Sequence, residues 1–132
     1  MANHDLTADM LTRIRNAVRN RQKTVNCLSN KLNRGVAKVL KEEGFIRDFE
    51  FVEDGRQGLI KVHLKYGQRG EQIINRIERV SKTGCRVYRG VDGLPRPMQG
   101  LGISIVSTSR GVLSDRQCRE GNIGGEVVAE IC

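Results

Sequence analysis

Aromatic side chains are scarce in this chain: its 132 residues include three phenylalanines, two tyrosines and no tryptophan. The five rings are Phe45, Phe49, Phe51, Tyr66 and Tyr88, and the three phenylalanines fall in one predicted apolar strand. Proteins that hold single-stranded nucleic acid rely on several exposed rings, on which successive bases stack. The shortage of rings therefore argues against a stacking platform for single strands.

Metal ligands and redox motifs are also few. The four cysteines lie far apart in the sequence, at Cys27, Cys85, Cys118 and Cys132. No two of them have the spacing of about two to four residues that zinc sites use. The two histidines, His4 and His63, form no ligand motif either. We expect four small buried thiols, no metal and no cofactor.

Long apolar runs and enzyme motifs are missing as well. No apolar stretch reaches the roughly 18 residues of a membrane helix, and the first residues carry no signal pattern, so we expect a soluble cytoplasmic protein. No glycine-rich loop precedes a lysine, and Gly100-Leu-Gly102 lacks the third glycine of a dinucleotide site. The chain is therefore not expected to be an enzyme. The alternative is a small hydrolase in which a serine of Ser107–Ser109 approaches the distant His63.

Positive charge is what the sequence has in excess. Its 23 Lys and Arg outnumber 15 Asp and Glu, and the net charge of +8 at pH 7 favours a polyanionic partner. From Met10 to Lys41 there are nine basic residues and no acidic one. A basic protein with few rings recognises nucleic acid through phosphates, ribose hydroxyls and shape, which suits folded RNA. Simple solvation of the charged face is the alternative.

Two helices are predicted in the first half of the chain. Apolar residues recur at helical spacing within Met10–Val18, and Asp5 or Thr7 stands where a cap is needed. A second apolar stripe follows Ser29, its predicted cap, and ends at Gly44. The basic residues of this second helix share the face opposite its apolar stripe; they are Lys31, Arg34, Lys38 and Lys41.

Strands account for most of the remaining predicted structure. The first half has Thr24–Leu28, Phe45–Glu53 and Leu59–Tyr66, which completes an α-β-α-β-β order with both helices on one face of a small sheet. The second half is mostly β, with strands predicted at Cys85–Arg89, Gly102–Ser107 and Gly124–Ile131. A capping box at Ser114 opens a short helix that Gly121 closes, and Met98–Leu101 holds at most a short turn. A polar joint at 67–70 predicts two small domains, 1–66 and 67–132.

The segment Ile73–Val80 is ambiguous. Its apolar residues have a spacing that leans towards a helix, while a strand stays open as the alternative. Local pattern alone does not decide between the two.

A run of hydroxyl side chains ends one of these strands, where Ser107, Thr108 and Ser109 precede Arg110 and Gly111. Short hydroxylated side chains both donate and accept hydrogen bonds, and they fit a shallow RNA groove in which longer side chains would clash. Arg110 adds charge for a phosphate, and Gly111 permits a sharp turn. The alternative is that the hydroxyls only satisfy the backbone of a turn, as Ser and Thr often do.

Four blocks of sequence occur in order along nearly the whole chain, at Asp9–Ala17, Leu40–Ile46, Val106–Arg116 and Gly124–Glu126. Together they resemble the bacterial form of the small-subunit ribosomal protein eight family. Shorter matches at Val80–Lys82 and Arg86–Tyr88 add to the resemblance.

The resemblance implies a two-domain α+β protein without catalytic activity. It implies direct, early binding to the central domain of small-subunit ribosomal RNA and a role in nucleating assembly there. It also implies a strand around Ile73–Val80, contacts with small-subunit proteins five and twelve and, in some bacteria, repression of the operon messenger RNA. A dedicated messenger-RNA repressor with the same surface is the alternative function.

The resemblance also assigns RNA-binding residues, most of them in the second half of the chain. Those of the second half are Ser107, Thr108, Ser109, Arg110, Tyr88, Arg86, Gly124, Gly125 and Glu126. Arg15, Ser29 and Lys31 are expected to make secondary, largely phosphate contacts. The chain departs from the family pattern at Pro97, inside what is normally a short helix, and at Cys132, where an aromatic or another apolar residue often ends the chain.

Overall fold

The structure, a computed structural model, describes residues 5–132, and His4 lies outside them. The first helix, α1 (Leu6–Arg19), begins at Asp5, whose carboxylate accepts a hydrogen bond from the backbone N–H of Ala8 at 3.0 Å. Thr7, the alternative cap, is buried inside the helix, and its hydroxyl donates to Asn33 at 2.8 Å. The sequence offered both Asp5 and Thr7 as the N-cap of α1, and the structure shows that Asp5 is the one that caps the helix.

The second helix, α2 (Lys31–Glu42), is capped by Asn30 and not by Ser29. The Asn30 side chain accepts a backbone N–H of the first turn at 2.7 Å. Ser29 is buried instead, where its N–H donates to the Gly58 carbonyl at 3.0 Å and its hydroxyl accepts from Arg34 at 2.9 Å. The predicted Ser29 cap is wrong because these tertiary contacts engage the residue elsewhere.

Three antiparallel strands form the first sheet, in the order β1-β3-β2. They are β1 (Thr24–Leu28), β2 (Ile46–Val52) and β3 (Leu59–Leu64). Both helices pack on the face where Ile60, Val62 and Leu64 are buried, as predicted. β2 is an edge strand; Phe45 precedes it and Phe51 is 52% exposed, so the prediction of one apolar strand holding all three phenylalanines is wrong.

Five strands form the second sheet, in the order β4-β8-β6-β7, with β5 beside β8. They are β4 (Ile77–Arg79), β5 (Tyr88–Arg89), β6 (Ile103–Thr108), β7 (Gly111–Ser114) and β8 (Gly125–Ile131). The sequence does not predict β7, and β5 keeps only the last two residues of the strand predicted at Cys85–Arg89. The mostly β character of this half and the α+β class of the whole are confirmed.

The ambiguous segment Ile73–Val80 contains a strand, as the family resemblance implies, and its helical spacing is misleading. β4 exists because Ile77 pairs with Ile131 of β8, at the other end of this half of the chain. Strand pairing with β8 therefore outweighs the helical spacing of the apolar residues in this segment, which extends over only about two helical turns.

Short helical elements connect the strands of the second half. The helix α3 (Asp115–Gly121) has the predicted capping box, in which the Ser114 and Gln117 side chains each accept the other's backbone N–H. The left-handed residue that closes α3 is Asn122, at φ 52°, and not Gly121. Two 3₁₀ turns, at Val91–Gly93 and Pro97–Gly100, precede β6, and Pro97 occupies the first position, which proline tolerates.

One main core joins the two sheets. It contains Ile14 of α1 and Leu40 of α2 together with Ile105 and Ile131 of the second sheet. This core crosses the predicted boundary between residues 66 and 67, where the chain passes from one sheet to the other. The division into two domains remains a prediction. No helix in residues 5–132 is long and apolar enough to span a bilayer.

The four cysteines do not share one environment. Cys27 and Cys118 are buried, and burial raises the pKa of both thiols, that of Cys27 to about 11. Cys85 is exposed and Cys132 is half-buried, so the expectation of buried thiols is wrong for these two. The Cys132 N–H donates to the Arg76 carbonyl at 2.9 Å, which closes the end of the sheet through the backbone. Within residues 5–132 no cluster of His, Cys, Asp and Glu could hold a metal ion.

An ion pair links the start of α1 to the second sheet. The Arg79 guanidinium lies 3.1 Å from the Asp5 carboxylate and also donates to the Val128 carbonyl at 2.8 Å. Burial alone would raise the pKa of Asp5, but the N–H of Ala8 and the charge of Arg79 outweigh it and lower that pKa. Asp5 thus caps a helix and holds the two halves together at once.

We expect Asp5→Ala to lower the free energy of unfolding by about 1 kcal/mol more than Asp5→Asn, because asparagine keeps the cap and loses only the charge. Since the folded pKa is lowered, the charge stabilises the protein above the ordinary Asp pKa of about 3.9, and this is lost as the pH falls through the folded value. Urea unfolding at pH 7 and pH 3 measures both effects. If the free energy of unfolding falls equally between pH 7 and pH 3 in the wild type and in Asp5→Asn, the ion pair between Asp5 and Arg79 does not contribute to stability.

Candidate nucleic-acid interface

The hydroxyl run lies at the tip of a β-hairpin that β6 and β7 form. Thr108 pairs with Gly111, which leaves Ser109 and Arg110 as the turn. Gly111 has φ 108°, in the region that favours glycine, while Ser109 and Arg110 keep negative φ. This is the geometry of a hairpin whose tight turn is followed by a left-handed glycine. The turn therefore holds the predicted RNA-binding hydroxyls at the protein surface.

The three hydroxyls are not equivalent. Thr108 donates to the Gly111 carbonyl at 2.7 Å and accepts from the Arg110 N–H at 3.0 Å, so it satisfies the turn itself. Within residues 5–132 no hydrogen bond engages the hydroxyl of Ser107 or Ser109. Ser107 is half-buried and Ser109 is exposed. The turn interpretation thus holds for Thr108, whereas the hydroxyls of Ser107 and Ser109 remain without partners in the described part of the chain and their RNA-binding role stays a prediction.

The hairpin faces the first turn of α2 across a groove. Residues of both elements line it, and they are Lys31, Leu32, Ser107, Thr108, Ser109, Gly111 and Val112. A Cβ on Gly35 of α2 would lie 2.4 Å from Cγ2 of Val112, so the helix and β7 approach closely only because Gly35 has no side chain. The groove thereby combines a basic side chain, hydroxyls and the positive end of a helix.

A row of paired residues crosses the sheet beside this groove. Glu126 of β8 pairs with Ser107 of β6 on one side and with Tyr88 of β5 on the other. Directly opposite residues of antiparallel strands point to the same face. Tyr88 is 63% exposed, so the row offers an accessible ring two strands away from the available hydroxyl of Ser107, with Glu126 between them. The sequence predicted these residues separately, and the sheet places them side by side.

Gly124 and Gly125 allow the strands to meet in this way. A Cβ on Gly124 would lie 2.4 Å from the Arg89 carbonyl oxygen, and one on Gly125 would lie 2.2 Å from the Ser107 carbonyl oxygen. Both obstacles are backbone atoms, which cannot rotate away. The two glycines are therefore needed for the close packing of β5 and β6 on β8.

Glu126 organises the segment that carries Tyr88. Its carboxylate accepts from the Ser81 hydroxyl at 2.5 Å and from Arg86 at 3.2 Å. The Ser81 oxygen in turn accepts from the Val87 N–H at 3.1 Å. Glu126 and Arg86 thus neutralise each other while they fix the approach to β5. Ser81 was not predicted as a site residue, although it lies in the matched block Val80–Lys82.

The basic face of α2 is exposed, as predicted. Lys31, Arg34, Lys38 and Lys41 are all exposed. Lys41 pairs with Asp48 at 3.0 Å and Arg34 bonds Ser29, whereas Lys31 and Lys38 have no carboxylate partner within residues 5–132. Arg110, at the tip of the hairpin, reaches the Gly121 carbonyl at 3.3 Å. Lys31 and Lys38 are therefore the residues of this face that remain open to phosphates.

Two predicted contact residues lie outside the groove. Ser29 is 1% exposed, so its side chain is not part of the surface and positions Arg34 instead. Arg15 donates a hydrogen bond to the Ile77 carbonyl of β4, at the opposite edge of the sheet from β7. The structure thus brings Lys31 to the hydroxyl hairpin but not Arg15.

His63 lies on the other side of the first sheet from the hydroxyl hairpin, and its ring interacts with Glu50 instead of a serine. It belongs to β3, on the face opposite the buried Ile60, Val62 and Leu64, and its ring lies 3.0 Å from Glu50. The hydroxyl hairpin packs against α2, on the helical side of that sheet. The sheet therefore separates His63 from Ser107–Ser109, and the structure gives no support to the alternative of a serine hydrolase.

Residues 5–132 match the family described as Ribosomal protein S8. The chain belongs to this family. It is 50% identical over 127 residues to the small ribosomal subunit protein uS8 of Lactobacillus delbrueckii subsp. bulgaricus, with 96% of each chain covered. Proteins of the same name from Streptococcus gordonii and Clostridioides difficile are 48% and 47% identical, again over 96% of each chain.

Membership in the S8 family confirms the resemblance seen in the sequence. The chain is a structural ribosomal protein and not an enzyme, as predicted.

We expect Gly125→Ala to destabilise this S8-family protein by roughly 1–3 kcal/mol, because the new methyl overlaps a backbone carbonyl. Gly90→Ala is the control, since a Cβ there has nothing within 4 Å and the φ of −72° suits alanine. Thermal unfolding of both variants measures the difference. Equal melting temperatures would show that β8 can shift away from β6 at no cost.

Proposed function

We propose that this structural component of the small ribosomal subunit binds the central domain of small-subunit ribosomal RNA directly, through the groove between the hydroxyl hairpin and α2. One observation carries the proposal. Lys31 and Ser107–Ser109, from distant parts of the sequence, line one groove, and Tyr88 lies beside it on the strand row that includes Ser107; the hydroxyls of Ser107 and Ser109 have no partner within residues 5–132. A surface of this kind suits the shallow groove of folded RNA better than a small molecule or a single strand.

Each part of the groove has a distinct role in this proposal. The hydroxyls of Ser107 and Ser109 donate to base edges and accept from ribose 2′-hydroxyls. Lys31 and the first turn of α2 attract a phosphate, and the exposed ring of Tyr88 stacks on one base. Glu126 makes no phosphate contact of its own, because a carboxylate repels phosphate; it holds Arg86 and the β5 segment in place.

Binding at an early stage of assembly follows from this arrangement. The groove is complete in the isolated chain, so RNA recognition does not wait for other proteins, and the protein is able to nucleate folding of the central domain. The proposed location is the ribosome in the cytoplasm. Contacts with small-subunit proteins five and twelve, and secondary phosphate contacts by Arg15, belong to the same proposal.

Repression of the operon messenger RNA is a second use of the same groove. A messenger that folds into the shape of the ribosomal site would compete for the same hydroxyls. Competition between the two RNAs for purified protein tests this, and two independent binding sites would contradict it. Sedimentation of cell extracts separates the roles, since a dedicated repressor would be absent from the small-subunit fraction.

Gel-shift titration and hydroxyl-radical footprinting with central-domain RNA test the primary proposal. We expect saturable binding and one protected region of folded RNA. Binding that is weaker than to a control RNA of equal length, from a protein that is folded, would overturn it.

Replacing one available hydroxyl tests the hairpin. We expect Ser109→Ala to weaken RNA binding by about 1 kcal/mol or more without changing the free energy of unfolding, because this hydroxyl has no partner among residues 5–132. Thr108→Ala is the matched contrast and is expected to lower stability, because its hydroxyl holds the turn. Ser109→Thr keeps the hydroxyl and should bind nearly as wild type. An unchanged RNA affinity for Ser109→Ala would refute the assignment.

Removing one charge at a time tests the basic face. We expect Lys31→Gln and Lys38→Gln each to reduce the slope of log affinity against log salt by about 1, because each removes one phosphate contact. Arg69→Gln is the control: Arg69 is exposed in the 67–70 joint and belongs neither to α2 nor to the hydroxyl hairpin. A slope equal to that of wild type would identify the α2 face as merely solvated.

A further inference from the structure

A groove of about 550 Å³ opens at one end of the first sheet, where β3 ends and β1 and β2 begin. Three exposed cations line it, one from each strand or the residue beside it, and they are Lys23, Arg47 and Lys65. We call this cavity the basic groove. Its three cations are not among the RNA contacts that the sequence predicts.

The positive charge of the basic groove is not neutralised by the described protein. Within residues 5–132 none of its three cations forms an ion pair. The two carboxylates of β2 are engaged by other residues, since Asp48 lies 3.0 Å from Lys41 and Glu50 lies 3.0 Å from His63. Like charges gathered at one place repel one another and destabilise the compact protein. An anion that binds in the basic groove would remove this cost.

A β-bulge carries one of the three cations. Ile46 of β2 pairs with Leu64 of β3, and Asp48 pairs with His63, so Arg47 is an extra residue that has no partner on β3. Bulges redirect side chains, and they are frequent at sheet edges and next to functional sites. β2 is an edge strand, and its unpaired Arg47 lines the basic groove.

The backbone around the basic groove is held by hydrogen bonds within the protein. The Leu64 N–H donates to the Lys23 carbonyl at 2.8 Å, and the Tyr66 hydroxyl donates to the Gln22 carbonyl at 2.6 Å. These bonds fix the start of β1 against the end of β3. Neighbouring strands lie roughly 5 Å apart, so cations from three adjacent strands span roughly 10 Å. Such a span suits a run of phosphates better than one small anion.

The basic groove and the hydroxyl hairpin lie at opposite ends of α2. Lys31, at the start of α2, lines the groove beside the hairpin, whereas Lys41, in the last turn, pairs with Asp48 next to Arg47. The twelve residues of α2 separate these ends by roughly 18 Å. The exposed Lys38 lies between them. A path of cations thus leads along α2 from the hydroxyl hairpin to the basic groove.

We propose that the basic groove binds the phosphate backbone of small-subunit ribosomal RNA, at nucleotides other than those that the hydroxyl hairpin contacts. Lysine and arginine are the usual partners of phosphates, whereas lysine is depleted in interfaces between proteins. The proposal rests on membership in a ribosomal family and on the uncompensated charge, and not on the hydroxyls of the hairpin. The basic groove and the hairpin site can therefore fail independently.

Site-directed photo-crosslinking in purified small subunits tests the proposal. A photoreactive residue replaces Thr24, which lines the basic groove, so that all three cations remain. The same residue at Ser109 marks the nucleotides near the hairpin, and Val52, 37% exposed at the other end of β2, is the control position. We expect position 24 to crosslink to RNA at nucleotides distinct from those that position 109 reaches, and more strongly than position 52.

The contrary outcomes of this experiment are specific. A crosslink from position 24 to protein alone, to the nucleotides that position 109 reaches, or to nothing would overturn the proposal. An equally strong RNA crosslink from position 52 would do the same, because it would show no preference for the basic groove.

Removing the charges is the second measurement. The groove variant combines Lys23→Gln, Arg47→Gln and Lys65→Gln. The control variant has the same net charge, and its substitutions lie at exposed residues outside the basic groove: Arg56→Gln, Arg69→Gln and Arg96→Gln. After the same salt wash we expect small subunits to retain at least about fivefold less of the groove variant than of the control variant. At low salt the melting temperature of the groove variant should be equal to or above that of wild type, because repulsion is relieved.

Equal retention of the two triple variants would refute the proposal. A groove variant that melts well below wild type would refute it too, because the three cations would then stabilise the fold instead of awaiting an anion. Failure of the wild-type protein to bind isolated central-domain RNA, with the difference in retention intact, would overturn only the hairpin site.

Discussion

The close packing of α2 on β7 is the contact on which the rest of the molecule depends. It joins the helical layer of the first sheet to the edge of the second, and it places the first turn of α2 beside the hydroxyl hairpin. Gly35 makes it feasible, since any Cβ there would overlap Val112. The main core then continues from one sheet into the other. The protein therefore presents its groove as a fixed surface rather than as two independently moving halves.

A second feature of the structure is that some polar side chains form hydrogen bonds that hold the fold together, while others have no partner within residues 5–132. The Thr108 hydroxyl donates a hydrogen bond to the Gly111 carbonyl within the turn. Ser81 and Arg86 both donate to Glu126, and Arg79 pairs with Asp5. The hydroxyls of Ser107 and Ser109 have no such duty within the described chain. Because unpaired polar groups are costly only when they are buried, these two serines can remain without a hydrogen-bond partner at little cost to stability, and in the proposed function RNA supplies that partner.

Much of the fold was predictable because its signals are local. The helical spacing of α1 and α2, the alternation of β3 and the capping box of α3 each lie within one short window of sequence. Two of the misses share one cause, which is contact between distant segments. The Ser29 N–H is engaged by Gly58 and the segment around Ile77 is held by Ile131, and no local window contains these partners. β7 differs, because its partner β6 lies just across a two-residue turn; this strand was missed although its pairing is local and it is only four residues long.

The sequence by itself determined the class of fold, the excess of positive charge, the shortage of rings and the family to which the chain belongs. These follow from composition, periodicity and motif order, which do not depend on coordinates. Only the tertiary structure decided that Tyr88, Glu126 and Ser107 form one row, that Thr108 differs from the serines beside it, and that Met98 and Leu101 stay outside the core. The physical reason is that strand register and burial are relations between residues far apart in the chain, while the hydrogen bonds of Thr108, although local, depend on the geometry that the turn takes once β6 and β7 pair.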